Sequence, residues 1–262
     1  MKYFRLEVPG KSLRIFPIVC WHIGAAQSDR KFITEHIKRI AADPANRWVY
    51  LGDGGECVTT ASKGEIYQQR LSPDEQLETL AELLEPVRGQ GLFGVSGNHD
   101  RRIAKLSGLD WTHALCSRLG IPYMGVSCFA RLVVGRVHYD TFWHHGIDSS
   151  SNIGGKVNKA KQVEQLVSAD AVFTAHSHIC LDAPPSYIAY LPPTERKISY
   201  REVKNYICGC AYDSRVPGYA EEKGYSPILP AHLAVTFRGN VNHDKSPAEN
   251  KHQTCEMWRA SA

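Results

Sequence analysis

The feature that most limits how this chain can fold lies in its first hundred residues. Three apolar runs, Leu13–Cys20, 48–51 and 91–95, alternate with two helical patterns. Ser28 or Asp29 can cap the first helix, which presents Phe32, Ile33, His36, Ile37 and Ile40 on one face before Pro44 stops it. Ser72-Pro73-Asp74-Glu75 starts the second, with proline at the first helical position and Leu77, Leu80, Leu83 and Leu84 following. Strand–helix–strand alternation predicts a parallel sheet with crossover helices. In such sheets ligands bind beyond the carboxyl ends of the strands. Each apolar run stops there on a polar cluster: Cys20-x-His22, Gly52-Asp53-x-x-Glu56, and Gly97-Asn98-His99-Asp100.

The second half is richer in strand patterns. Phe129–Val134 and Arg136–Trp143 flank Gly135 as a hairpin leading to His144-His145-Gly146. A Ser/Asn/Gly stretch follows, then a helical pattern over 156–168, and a short strand over 171–174 that ends at His176-Ser177-His178. Residues 197–208 and 232–237 are the last predicted strands. Beyond Arg238 the chain turns polar and loses its periodicity, which predicts a loosely ordered tail. The expected organisation is one domain over 1–240 and a polar C-terminal tail over 241–262.

Composition narrows the setting. A chain of 262 residues, 43% hydrophobic, is long enough for one domain with a sizeable core. A net charge of +4 is too mild for a dedicated nucleic-acid binder. Eight scattered cysteines without a CxxC pair do not make a disulfide scaffold. The first residues lack the apolar core of a signal peptide, and no run approaches the roughly 20 apolar residues of a membrane span. The expectation is a cytoplasmic protein with no membrane partner; oligomeric state is not legible.

The polar strand ends supply imidazole, carboxylate, amide oxygen and thiol, the donors that borderline divalent metals prefer. Histidines at i and i+2 on a strand-end loop can face neighbouring ions, and the two oxygens of an aspartate can bridge them. Glycines before Asp53 and Asn98 let the backbone turn sharply off its strand.

This ordered set resembles the calcineurin-like metallophosphoesterase family, whose pattern is DxH, GDxxE, GNH(E/D), a later His, and GHxH. The resemblance covers about residues 13–240, and the Gly/Ser-rich segment with Ala169-Asp170-Ala171 is similar to phage- or prophage-type members. Two positions depart: Cys20 stands at the first aspartate, and Ala175 at the glycine before the last pair of histidines. The resemblance implies an α/β fold (α+β in some schemes), a sandwich of two mixed β-sheets flanked by helices. It also implies two divalent metal ions, manganese, zinc or iron. One would be held by Cys20, His22, Asp53 and His178, the other by Asp53, Asn98, His145 and His176, with His144 competing for the place of His145. A thiolate at Cys20 favours zinc or iron over magnesium; the alternative is a buried, uncoordinated cysteine.

By the same resemblance His99 contacts the phosphoryl group and protonates the leaving oxygen, Asp100 orients its ring, and Glu56 orders a loop. The implied substrate is a phosphate ester, a nucleotide or nucleic-acid diester first and a small phosphomonoester second. A non-catalytic scaffold with a degenerate metal site is the rival of another class. Loops over 56–70, 99–120 and 211–225 are expected to rim the site. They offer Arg101, Arg102, Lys105 and Lys223 to phosphates, and Tyr67, Trp111, Tyr212 and Tyr219 to bases.

Overall fold

The computed structural model describes residues 1–62, 66–147, 150–192, 196–217, 224, 227–239 and 251–260. Strand β1 (Lys2–Val8) precedes β2 (Ser12–Ile18), α1 (Arg30–Ala41) and β3 (Arg47–Tyr50). Then come α2 (Pro73–Leu84), β4 (Gly91–Gly94), α3 (Asp100–Ser107) and α4 (Trp111–Leu119). The hairpin of β5 (Ser127–Val134) and β6 (Val137–His144) leads to α5 (Ile153–Glu164) and β7 (Ala171–Thr174). The chain closes with β8 (Cys180–Tyr190), β9 (Ser199–Cys210), β10 (Ala231–Arg238) and β11 (His252–Arg259).

The strands follow the order β1-β5-β6-β7-β9-β10-β2-β3-β4, with β8 beside β9 and β11 beside β10. A short β9–β10 pairing joins two mixed halves. Parallel pairs join β2 to β3, β3 to β4, β6 to β7 and β7 to β9. The core between the halves joins Ile15, Val49 and Phe93 of one to Leu132, Trp143, Phe173 and Tyr206 of the other. Trp143 and Phe173 stack there with ring centroids 3.7 Å apart. On the outer side of the β2–β3–β4 half, Ile33, Ile37 and Ile40 of α1, Leu77, Leu80 and Leu84 of α2, and Leu115 of α4 pack against Phe16, Ile18 and Trp48. Val163 of α5 covers Phe142, Val172 and Val203 on the other half. The expected α/β sandwich of two mixed sheets flanked by helices is therefore what forms.

The helices start where their side chains permit. Asp29 accepts from the Phe32 amide, and Ser72 and Glu75 exchange hydrogen bonds as a capping box. Two expectations need correction. Residues 252–259, expected within a loosely ordered tail, form β11 along the full length of β10. The 99–120 segment, expected as a loop, is two helices, because Asp110 caps α4 and the left-handed Gly108 and Gly120 close α3 and α4. Among the described residues no helix is long and apolar enough to cross a membrane.

Candidate metal centre

Every predicted ligand follows a parallel strand at its carboxyl end, and the backbone joins these loops. Once β2 and β3 stop pairing, Cys20 N donates to Gly52 O at 3.0 Å, His22 N to Asp53 O at 3.1 Å and Ile23 N to Gly54 O at 2.8 Å. Ala211 N donates to Cys20 O at 3.0 Å, and Ala175 N to His145 O at 2.9 Å. Six non-glycine residues among those described have left-handed backbone: Cys20, His22, Asp53, Cys57, His176 and His178. Five of them are predicted ligands. Such a conformation costs on the order of 1–3 kcal/mol where the surroundings must enforce it, so strain is concentrated where side chains must converge. Ala175 is buried and is not among the left-handed residues, so it needs no glycine there.

Five of the seven predicted ligands are brought together in two groups. Cys20, His22 and His178 form one group whose donor atoms lie within 4.8 Å of one another; Cys20, Asp53 and His145 form a second. His22 Nδ1 lies 2.7 Å from Glu56 Oε2, and its Nε2 lies 3.0 Å from His178 Nε2. His145 Nδ1 lies 2.6 Å from the Leu51 carbonyl, which can only accept, so Nδ1 carries the proton. A neutral His145 would then face Asp53 Oδ2 lone pair to lone pair at 2.9 Å, but against the effect of burial Asp53 raises the His145 pKa, toward a ring that donates to the carboxylate. Such an approach requires an added proton or a cation. The His176 ring lies beside that of His145, centroids 5.5 Å apart. Asn98 stands exposed on the rim, between Gly97 and His99, whose amide donates to Asp53 Oδ1 at 2.8 Å. Gly97 admits no side chain, since a Cβ would lie 2.1 Å from Asp53 Oδ1.

Burial and charge set the protonation. Burial works to raise the Asp53 carboxyl, but His145, His99 and His22 outweigh it and hold it well below the usual carboxylate range. Burial, then Asp53, pushes the Cys20 thiol well up. Burial lowers His178 far below the ordinary imidazole range and His176 to about 4. The donor set is thus one carboxylate, four imidazoles, of which burial keeps His176 and His178 neutral, and a thiol that only a bound cation would ionise. Carboxylate and carbonyl oxygens behind His22 and His145 are the partners that orient metal-binding imidazoles. These residues fit a divalent ion of borderline softness better than a hard, oxygen-seeking one.

Several predicted side chains take other positions. His145 reaches Asp53, whereas His144 accepts from the Gly146 amide through Nδ1. Asp100 does not touch the His99 ring. It is buried and accepts from Tyr50, Thr112 and the amides of Asp53 and Gly97, so it holds the two glycine loops together. Burial raises it to about 6, helped by Asp53. His99 instead sets Nδ1 2.8 Å from the Glu56 carbonyl. Trp111 is a core residue donating to Pro73 O, while Tyr67 is almost fully exposed. Tyr212 lies in the site, its ring 5.6 Å from those of both His22 and His178. Tyr219 and Lys223 lie outside the described residues. Sequence reasoning missed the structural part of Tyr50, which bonds Asp100 and the Gly54 amide; its place at the end of β3 carried no polar signal.

No family model matches the sequence, and no curated protein matches it. Solved structures do match the fold. One from Staphylococcus aureus, provisionally assigned as a 5′-nucleotidase, has a TM-score of 0.51 at 10% identity, covering 95% of this chain and 54% of that one. This chain thus spans about half the length of that protein. The phosphoesterase YfcE of E. coli gives 0.46 at 12% identity, covering 88% and 95%. The calcineurin-like phosphoesterase YfkN from Bacillus subtilis gives 0.44 at 10% identity, covering 95% and 91%. At these identities the likeness is one of fold: the chain shares its α/β sandwich with the Staphylococcus aureus structure.

Proposed function

We propose that this protein is a metal-dependent phosphoesterase with a dinuclear centre, acting on phosphodiesters of nucleotides or nucleic acid. The observation that carries the reading is the convergence of Cys20, His22 and His178, and of Cys20, Asp53 and His145, with the donor atoms of each group within 4.8 Å of one another. Cys20, His22, Asp53 and His178 would hold one ion; Asp53, Asn98, His145 and His176 would hold the other. When bound, such ions polarise phosphoryl oxygens and lower the pKa of water.

The chain's own residues supply orientation. Glu56 fixes the His22 ring, and Leu51 O fixes that of His145. Asp100 ties the Asp53 loop to the Gly97 loop. Tyr212 sets a half-buried aromatic face beside His22 and His178, which supports a base or other flat leaving group on that side. The mild positive net charge agrees with an anionic substrate.

The test is hydrolysis of bis-p-nitrophenyl phosphate and p-nitrophenyl phosphate with added manganese, zinc or iron, and with chelator. Faster diester hydrolysis that chelator abolishes is the expected result. Preference for the monoester would move the reading to a phosphomonoesterase. No turnover with any metal would leave a binding protein of this fold.

A further inference from the structure

We propose that Arg102 binds a non-bridging oxygen of the substrate phosphate beside the metal ligands, and that His99 positions it. The inference rests on the phosphoesterase reading above. Arg102 lies in the first turn of α3, directly after the Asn98 loop, with a side chain only 18% exposed. Arg101 and Lys105 on the same helix are exposed. Of the basic residues predicted to meet phosphate and described here, Arg102 alone reaches the ligand cluster.

Its contacts define what it can do. One terminal nitrogen donates to Glu56 O at 3.0 Å, and the other faces His99 Nε2 at 3.0 Å. His99 Nδ1 lies 2.8 Å from the same Glu56 carbonyl, which can only accept. The His99 proton is therefore on Nδ1, and Nε2 accepts from the guanidinium. Both ring nitrogens are engaged, and His99 acts as a bracket for Arg102. Its ring lies 4.6 Å from that of His22, centroid to centroid, so the bracket stands against the proposed metal ligands.

The charge of Arg102 is incompletely matched. Among the described residues the one carboxylate within ion-pair reach is Glu56, 3.8 Å away through Oε1. The other Glu56 oxygen is already 2.7 Å from His22 Nδ1. A planar guanidinium has five N–H donors, and two are used among the described residues. The remaining donors and the surplus charge suit an anion with paired oxygens, which a phosphate presents and a lysine would bind less well.

Inorganic phosphate is the probe. It is titrated by calorimetry into the metal-loaded protein, the Arg102→Met and Arg102→Lys variants, and Arg101→Met as a control, with metal content measured on each. Arg102→Met is expected to weaken phosphate binding about tenfold or more at unchanged metal content, with Arg102→Lys recovering part of it and Arg101→Met unchanged. Phosphate binding by Arg102→Met as tight as in the parent would overturn the proposal while leaving the phosphoesterase reading intact. Loss of metal from both Arg102 variants would overturn it too, reducing Arg102 to a prop for the Glu56 loop. A metal-loaded parent that binds no phosphate would sink the phosphoesterase reading, and the proposal with it.

Discussion

His22 and His178 meet through their Nε2 atoms at 3.0 Å, although one follows β2 and the other follows β7 in the opposite half of the sandwich. Behind His22, Glu56 takes up Nδ1 at 2.7 Å. Neutralising that carboxylate should weaken the ring as a ligand. Glu56→Gln is expected to lower metal affinity by about 10–100-fold, the range seen when such outer partners are removed. Metal titration of the chelator-treated protein measures it, and unchanged affinity would separate Glu56 from the centre.

Cys20 is a member of both donor groups built around its strand end. Replacing its thiol by a carboxylate should move the site toward harder ions. Cys20→Asp is expected to shift the preferred metal toward manganese in competition binding. The same order of preference in variant and parent would mean that Cys20 is a buried bystander.

Gly97 is the tightest point of the site. A Cβ there would sit 2.1 Å from Asp53 Oδ1 and 2.5 Å from the Asp53 amide, and that amide is held by Asp100. Gly97→Ala is expected to cost about 1–3 kcal/mol of stability by overpacking and to reduce metal content. Thermal unfolding with elemental analysis checks both; a variant equal to the parent in each would show the loop to be adaptable.

Away from the site, His36 on α1 has both ring nitrogens buried and without partner among the described residues. Its ring lies 4.5 Å from that of His232 on β10 and 5.3 Å from that of Trp258 on β11, and Arg39 adds a nearby charge. Burial pushes His36 well below the ordinary range and His232 to about 4. The unfolded chain then binds more protons, so stability is complete above about pH 6.5. It falls as pH drops below that value, by about 1.4 kcal/mol per pH unit per histidine until the folded pKa is reached. His36→Leu should flatten this acid loss in thermal midpoints taken from pH 7.5 to 5 with chelator present. Parallel curves for variant and parent would clear His36 of the effect.

Much of this was legible in the sequence because the strand ends are punctuated. Apolar runs closing on Gly-Asp, Gly-Asn-His and His-x-His marked the ends of β3, β4 and β7, and the hairpin at Gly135 marked β5 and β6. The preference for His145 over His144 came from the resemblance, since His145 directly precedes a glycine; the residues alone did not show that β6 stops pairing with β5 at Ser127. Nor did they show the part played by Asp100, whose partners Tyr50 and Thr112 come from β3 and α4. Strand β8 was hidden by Pro184 and Pro185, which it accommodates at a register shift between Ala183 and Ser186. Strand β11 was hidden by its polarity: it is an outer strand that half-buries Gln253, Cys255 and Trp258.

The central claim is that the convergent strand ends hold metal, and the most direct test is the metal content of the purified protein by elemental analysis, before and after chelation and reloading. Close to two divalent ions per chain are expected, with zinc or iron favoured. Protein that binds one ion or none after reloading, while still folded, would contradict the claim.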